Sequence, residues 1–563
     1  MTTLKEQLDW FDPWKLSPEF DRLEKRPVAY FCAEYALDDR IPTYSGGLGV
    51  LAGDVVREAA DRGVPMVAIG LYYRHGYACE ITVLDGKPVE TCEDIRPDPE
   101  LLSPVMTATG ERLIVRVPIQ DRYVEVQVSK WTRGGVSVYL LDSNLESNSA
   151  ADRRITDRLY IGDKETRFKQ EIIIGIGGLR LLEALKIHPS VYHLNEGHSA
   201  MLGLELVRHE MQERQLGFDE AKQFARRRMV MTNHTLVAAG NEVYSDDLVA
   251  LLLGKYSEEL GVPVAELVKL GLVQETSVFS MTMLALRLTS VVNAVSKLHA
   301  EKAREIWHDH PMATVTNGIH LPTWDLVRAD VKTPGTFWKI HLERKTALLA
   351  HVKTMTGRDW SPDALLLGWS RRIVSYKRPT AMLEDAERFA KIARDSKRPV
   401  RIVFGGRPHP SDQEGHELLE RLRALIDGGL KDVAAFLPDY GLETAKLLVS
   451  GTDVWLNTPI VGFEACGTSG LKAALNGSLP CSTKDGWVAE AEMFKVGWLL
   501  DSAKISSDAL DVLERDIVPS YYARDASGVP SQWEEMMRNS RAMIQNQFSA
   551  TRMIKEYIET LYS

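Results

Sequence analysis

Cysteine is scarce in this chain: 563 residues hold five, Cys32, Cys79, Cys92, Cys466 and Cys481. They are scattered and form no CxxC pair, which argues against a disulfide framework and against a thiolate zinc site. No apolar run is long enough to span a bilayer. The opening stretch MTTLKEQLDWFDPW carries acidic residues and no apolar core, so it does not read as a signal peptide, and a cytoplasmic protein without membrane contact is expected. Basic residues are not in excess either. The 68 Lys and Arg against 78 Asp and Glu give a formal charge of -10, which disfavours a broad nucleic-acid surface but leaves room for a local basic pocket. Repeats, low-complexity segments and long linkers are absent. The length exceeds what one core supports, so two large domains are expected.

What is present reads as α/β. Val28 to Glu34 is a buried strand, followed by the glycine loop Ser45-Gly46-Gly47-Leu48-Gly49, a helix that stops at Gly63, and a second strand, VPMVAIGLYY. Strand, glycine loop, helix, strand is the unit of a doubly wound sheet. SGGLG lacks the spacing of a dinucleotide fingerprint, and its glycines suit either a tight packing turn or an anion at the helix start. From about residue 84 to 144 alternating patterns such as RYVEVQVSKW predict a β-rich insertion. Three later strands then deliver polar clusters to the sheet edge where open α/β sheets bind ligands: Asn195, Glu196 and His198 in VYHLNEGHSA, Asn233, His234 and Thr235 in MVMTNHT, and Asn317-Gly318 in TVTNGIH. The histidines do not match HExxH, and no metal is expected. A lone histidine is usually structural; two such strand ends shift the balance toward function.

A fresh α/β pattern begins beyond the LPTW and VKTPGT turn signals, so the domains are expected to span 1–325 and 326–563. The buried strand ALLLGWS runs into Arg371, Arg372, Lys377 and Arg378, four cations in eight positions. Bunched cations at a sheet edge call for an anion, a fork from Arg and a point charge from Lys. Glu464 to Gly477, EACGTSGLKAALNG, is the most informative stretch. Small residues Gly467, Thr468, Ser469 and Gly470 allow a close ligand, and amides at a helix start are donors to phosphate. Lys472 lies one turn inside. The combination suits an aldehyde cofactor with a phosphate handle, although alone it would serve several cofactors.

Together YSGGLGVLAGD (44–54), HLNEGHSA (193–200), NHT (233–235), RRIVSYKR (371–378) and EACGTSGLKAALNG (464–477) resemble the α-glucan phosphorylases, the glycogen, starch and maltodextrin phosphorylase family, in its shorter prokaryotic form. The resemblance implies a GT-B architecture, two Rossmann-like domains facing across a cleft, with final helices that pack back on the first domain. It implies reversible phosphorolysis of α-1,4-glucan or maltodextrin by inorganic phosphate, giving glucose 1-phosphate with retention. Lys472 matches the lysine that holds pyridoxal phosphate as a Schiff base. Thr468, Ser469 and Arg371 match its phosphate contacts, with Gly47 and Tyr440 also near the cofactor and Tyr376 lining the site. Arg372 and Lys377 match the pair that grips substrate phosphate, and Gly46 and Leu48 the glycine loop beside it. His234, Asn317 and Glu464 match sugar contacts, with Cys466 and Gly467 in the same loop and Glu196 and His198 toward the acceptor. Family members are often homodimers. Cys466 departs from the usual serine, Arg407 from an expected lysine, and IVGF before the motif is less polar than in nearer relatives. The rival expectations are a GT-B glucan synthase that uses a nucleotide sugar, with no need of a lysine at 472, and a non-catalytic glucan-binding relative.

Overall fold

Short runs rich in Val, Ile and Leu form the parallel strands of two separate sheets, and the central runs, such as VAYF, VYHLN, LLLGWS and VWLN, are buried on both faces as parallel sheets require. The computed structural model describes residues 3–563 apart from 78–79, 85–86, 93, 237–241, 274–275, 410–411, 439 and 527; of 80–84 and 87–91 it describes the backbone. The chain divides into two units: Leu8–Val295, Lys302–Val315 and Ile554–Ser563 form the first, and Met1–Gln7, Ser296–Glu301 and Thr316–Met553 the second. Among the described residues no helix is long and apolar enough to cross a membrane. Cys32, Cys466 and Cys481 are buried free thiols, and Cys92 is disulfide-bonded, which the scattered spacing did not suggest.

In the first unit the principal strands are β1 (Val28–Phe31), β2 (Met66–Leu71), β3 (Ile114–Ile119), β4 (Arg122–Arg133), β5 (Val136–Asp142), β6 (Val191–Asn195), β7 (Met229–Asn233), β8 (Val291–Ala294) and β9 (Met312–Thr314). Their order is β9-β8-β7-β6-β1-β2-β5-β4, with β3 on β4. All pairs from β9 to β5 are parallel, while β4 and β3 add antiparallel pairing beyond β5. The segment expected to be an insertion is therefore partly sheet: β5 is the third strand of the doubly wound order, and its nearly all-buried VSVYLLD run fits that place. Helix α1 (Gly47–Arg62) follows the glycine loop and ends at Gly63 with φ 69°; α2 (Lys164–Ile172) brings Arg167 into the interior. The reversal of strand order, between β1 and β6, puts the chain after Phe31 beside the chain after Asn195.

The second unit contains α3 (Thr336–Thr356) and six parallel strands: β10 (Leu365–Ser370), β11 (Val400–Gly405), β12 (Ala434–Leu437), β13 (Val454–Asn457), β14 (Leu479–Thr483) and β15 (Trp498–Leu500). Their order, β12-β11-β10-β13-β14-β15, is the Rossmann order, with its switch point between β10 and β13. A buried ionic group pins those two strands. Asp453, directly before β13, accepts hydrogen bonds from the Leu366 amide at 2.7 Å, Lys345 Nζ at 2.5 Å and His341 Nε2 at 2.8 Å. Lys345 lies on the buried stripe of α3 and also donates to the Ala364 carbonyl and the Tyr521 hydroxyl. From this arrangement β13 runs into α4 (Thr468–Leu475).

Removing one partner of a fully buried ion pair costs about 3–5 kcal/mol, because the other charge is stranded. Lys345→Met is thus expected to lower stability by about that amount in urea unfolding, and Lys345→Met with Asp453→Asn to recover part of it. A single variant within 1 kcal/mol of wild type (roughly the worth of an exposed pair) would contradict the strut.

Candidate active site

The second unit gathers its charged groups at the switch point. Arg371 leaves β10 buried and donates Nη1 to Glu464 Oε2 at 2.9 Å and Nη2 to Ser469 Oγ at 3.4 Å, while its Nε makes no hydrogen bond among the described residues. Lys377 Nζ stands 3.6 Å from the other oxygen of Glu464. Burial alone would raise the Glu464 carboxyl, but Lys377 and Arg371 hold it below the usual carboxylate range, so it is ionised. Burial, with Arg371 and Arg372 nearby and Glu464 opposing, brings Lys377 down to about 8. Arg372 is exposed at the same strand end. Arg378, the fourth cation of the run, is turned elsewhere: it has φ 47° and donates to the Thr458, Pro459 and Ser502 carbonyls. It fastens loops and is not in the anion set.

Backbone geometry makes room for this cluster. A Cβ on Gly406, which has φ 130°, would lie 1.9 Å from the Arg371 carbonyl oxygen, so only glycine lets the ends of β10 and β11 approach so closely. Tyr440 is half-buried beside Gly405, and Tyr376 packs its ring on Phe463 with centroids 6.0 Å apart. Asp485 is the residue that the sequence reading missed. Its Oδ2 accepts the Gly462 and Glu464 amides at 3.0 Å each, and its Oδ1 accepts the Gly486 amide at 2.8 Å. The only local signal was the Asp-Gly turn pair.

Gly467, with φ 84°, caps α4, and Thr468 and Ser469 open its first turn. Cys466 is buried, and its backbone carbonyl accepts the Trp487 amide. Lys472 is buried, donates to Thr468 Oγ1 at 3.3 Å and lies 4.3 Å from the centre of the Trp324 ring. Asn476, at the end of the same motif, fixes that ring's backbone by bonding the Trp324 carbonyl at 2.7 Å and the Leu326 amide at 2.8 Å. Asn317 is buried with its Oδ1 unbonded among the described residues, an acceptor awaiting a donor.

The first unit has a polar group of its own at the corresponding strand ends. His234 Nε2 donates to Asn195 Oδ1 at 2.6 Å, which fixes the ring. Its backbone amide donates to Glu196 Oε2 at 2.8 Å. Glu196 has φ 77° and is buried; burial raises its carboxyl to about 8 against the pull of the amides of residues 197, 234 and 235. His198 is buried, its Nδ1 makes no hydrogen bond among the described residues, and burial beside Arg167 keeps it neutral. Gly46 donates its amide to Glu34, Gly47 is exposed, and Leu48 is half-buried in the first turn of α1.

The two sheets of Rossmann order agree with what comparison with known proteins finds. A carbohydrate phosphorylase family model matches residues 314–497. The chain is 36% identical to the maltodextrin phosphorylase of Thermococcus litoralis, over 96% of this chain and 71% of that protein. The chain belongs to the carbohydrate phosphorylase family. Its relatives include the glycogen phosphorylase of Mycobacterium tuberculosis, 34% identical over 95% of this chain and 70% of that one. The Aquifex aeolicus glycogen phosphorylase is 32% identical over 97% of this phosphorylase and 87% of its own length.

Glu196 yields a pH test. The folded carboxyl titrates near about 8 and the unfolded one near ~4.3. Between those values the folded protein keeps a proton that the unfolded chain releases, so this contribution to stability is present at low pH and is lost as pH rises through about 8. Glu196→Gln cannot ionise. Its melting temperature is expected to climb relative to wild type from acid pH to pH about 9; parallel pH profiles would contradict a raised carboxyl.

Proposed function

We propose that this phosphorylase cleaves terminal α-1,4-linked glucose from maltodextrin or glycogen with inorganic phosphate, reversibly, to give glucose 1-phosphate with retained configuration. The observation that carries the reading is the pairing of Arg371 and Lys377 with ionised Glu464, with Arg372 at the same strand end, in one unit with Lys472 behind the small-residue start of α4. Breaking a glycosidic bond needs a proton on the leaving oxygen and negative charge beside an oxocarbenium-like carbon. A hydrolase supplies both with two carboxylates; a phosphorylase admits phosphate, which brings its own proton and charge. Arg372 and Lys377 bind that phosphate, a bidentate fork with a mobile point charge. Glu464, ionised, accepts from sugar hydroxyls, and the unbonded Oδ1 of Asn317 is a second acceptor. His234 of the first unit, its ring fixed by Asn195, matches a sugar contact of the family.

The residues of the second unit fit pyridoxal phosphate. Lys472 is a buried amine over an aromatic ring, and Thr468, Ser469 and the Arg371 guanidinium stand near the helix start, with one Arg371 N–H still unbonded among the described residues. Lys472 would hold the cofactor covalently, and Arg371, Thr468 and Ser469 would take its phosphate. When bound, the cofactor supplies a phosphate group that gives and takes a proton beside the substrate phosphate. Two phosphates close together repel, and the three cations with helix-start amides offset that repulsion.

Incubation of the protein with maltodextrin and phosphate is expected to release glucose 1-phosphate. A hydrogen bond to a charged group is worth about 1.5–3 kcal/mol, so Arg372→Ala is expected to raise the KM for phosphate roughly 10–100-fold and leave that for maltodextrin within a few-fold. Glucose release that requires no phosphate, or glucan extension that requires a nucleotide sugar, would overturn the reading.

A further inference from the structure

Glu34 belongs to none of the groups assigned above, yet it is 1% exposed and fully engaged. Its Oε2 accepts the Ser45 amide at 2.7 Å, the Gly46 amide at 3.2 Å and the Ser45 hydroxyl at 3.3 Å. Its Oε1 accepts the Tyr160 hydroxyl at 2.7 Å. Glu34 follows β1 at the switch point of the first unit, and Ser45-Gly46 are the two residues before α1. The N-cap of that helix, Gly46, has no side chain to cap it. A carboxylate twelve residues upstream therefore fixes, by tertiary contact, the two amides that lead into the helix, and leaves the first-turn amides uncapped.

The glycines of SGGLG divide accordingly. A Cβ on Gly49 would lie 2.9 Å from Glu34 Oε2 and 2.8 Å from Tyr44 Cβ, so Gly49 exists to let the carboxylate under the loop. A Cβ on Gly47 would meet nothing within 4 Å, so that face of the loop is open. Glu34 takes the amides that precede the helix and accepts nothing from Gly47 or Leu48 in its first turn. Tyr160 is itself held. It has φ 56°, the Arg167 guanidinium lies 4.7 Å from the centre of its ring, and Arg167 is in turn 3.5 Å from Glu242 and 3.7 Å from Glu171. A bidentate carboxylate suits this place because both oxygens accept; a glutamine would set an N–H donor against one partner.

We propose that Glu34, braced by Tyr160, is a positioning residue for the reaction. It docks the Ser45 and Gly46 amides so that the open first turn of α1, at Gly47 and Leu48, is presented to an incoming phosphate. The proposal rests on the phosphorolysis reading for the identity of that anion, but the clamp itself is independent of it.

Amide hydrogen exchange followed by mass spectrometry, together with kinetics on the intact protein, tests both parts. Loss of hydrogen bonds to a charged acceptor is expected to speed exchange in peptides spanning 44–50 about tenfold or more in Glu34→Ala, and less in Tyr160→Phe. The KM for phosphate is expected to rise about tenfold in Glu34→Ala, with partial rescue in Glu34→Gln, while that for maltodextrin stays within about twofold. Unchanged exchange at 44–50 would overturn the clamp whatever the activity. Faster exchange with equal changes in both KM values would reduce Glu34 to a structural role and overturn the positioning claim. A wild-type enzyme that gives no glucose 1-phosphate would overturn the functional reading and the positioning role together, and the exchange data would show that failure apart from the clamp.

Discussion

Glu464 shared between Arg371 and Lys377 is the interaction on which the second unit's chemistry depends. Cations packed at the end of one strand repel each other and resist burial, and Lys377 shows it by its fall to about 8. A buried carboxylate offsets both costs and remains ionised because of them. The arrangement is therefore mutual: Glu464 holds the cations in place, and the cations keep Glu464 ionised. Asp485 then fixes the backbone of Glu464 through its amide, so that the carboxylate is aimed from both ends.

That cluster is placed by topology. In both units the strand order reverses beside the first strand, and the chain leaves the sheet there with its polar residues. In the second unit the two flanking strands are pinned at their starts by Asp453, Lys345 and His341, and they diverge at their ends into Arg371 and Glu464. In the first unit the flanking strands end in Glu34 and in Asn195-Glu196. Each of those carboxyls is spent on backbone amides, Glu34 on the glycine loop and Glu196 on His234. The same rule thus gives one unit its charges and the other its fixed loops.

The parts legible from the sequence are those written within a few residues of each other. VAYF, MVMTN and LLLGWS are apolar runs that end in polar clusters, and such runs become buried strands with polar ends. Lys472 and its small neighbours sit inside one helical turn. What was hidden is contact between residues far apart in the chain: Asp485 with Glu464, Trp324 with Lys472, Glu34 with Ser45 and Tyr160. Arg378 looked like its neighbours because charge runs carry no direction; its left-handed backbone sends it to carbonyls instead. The alternation around VSVYLLD suggested an added β module, whereas burial on both faces made it a strand of the parallel sheet.

The account centres on the claim that Glu464–Gly477 is one wall of a two-phosphate site, with Lys472 as the tether. Borohydride reduction of the purified enzyme followed by peptide mass spectrometry tests this most directly. The account predicts a pyridoxyl adduct on Lys472 and on no other lysine. An unmodified Lys472, or an adduct at a different lysine, would contradict it.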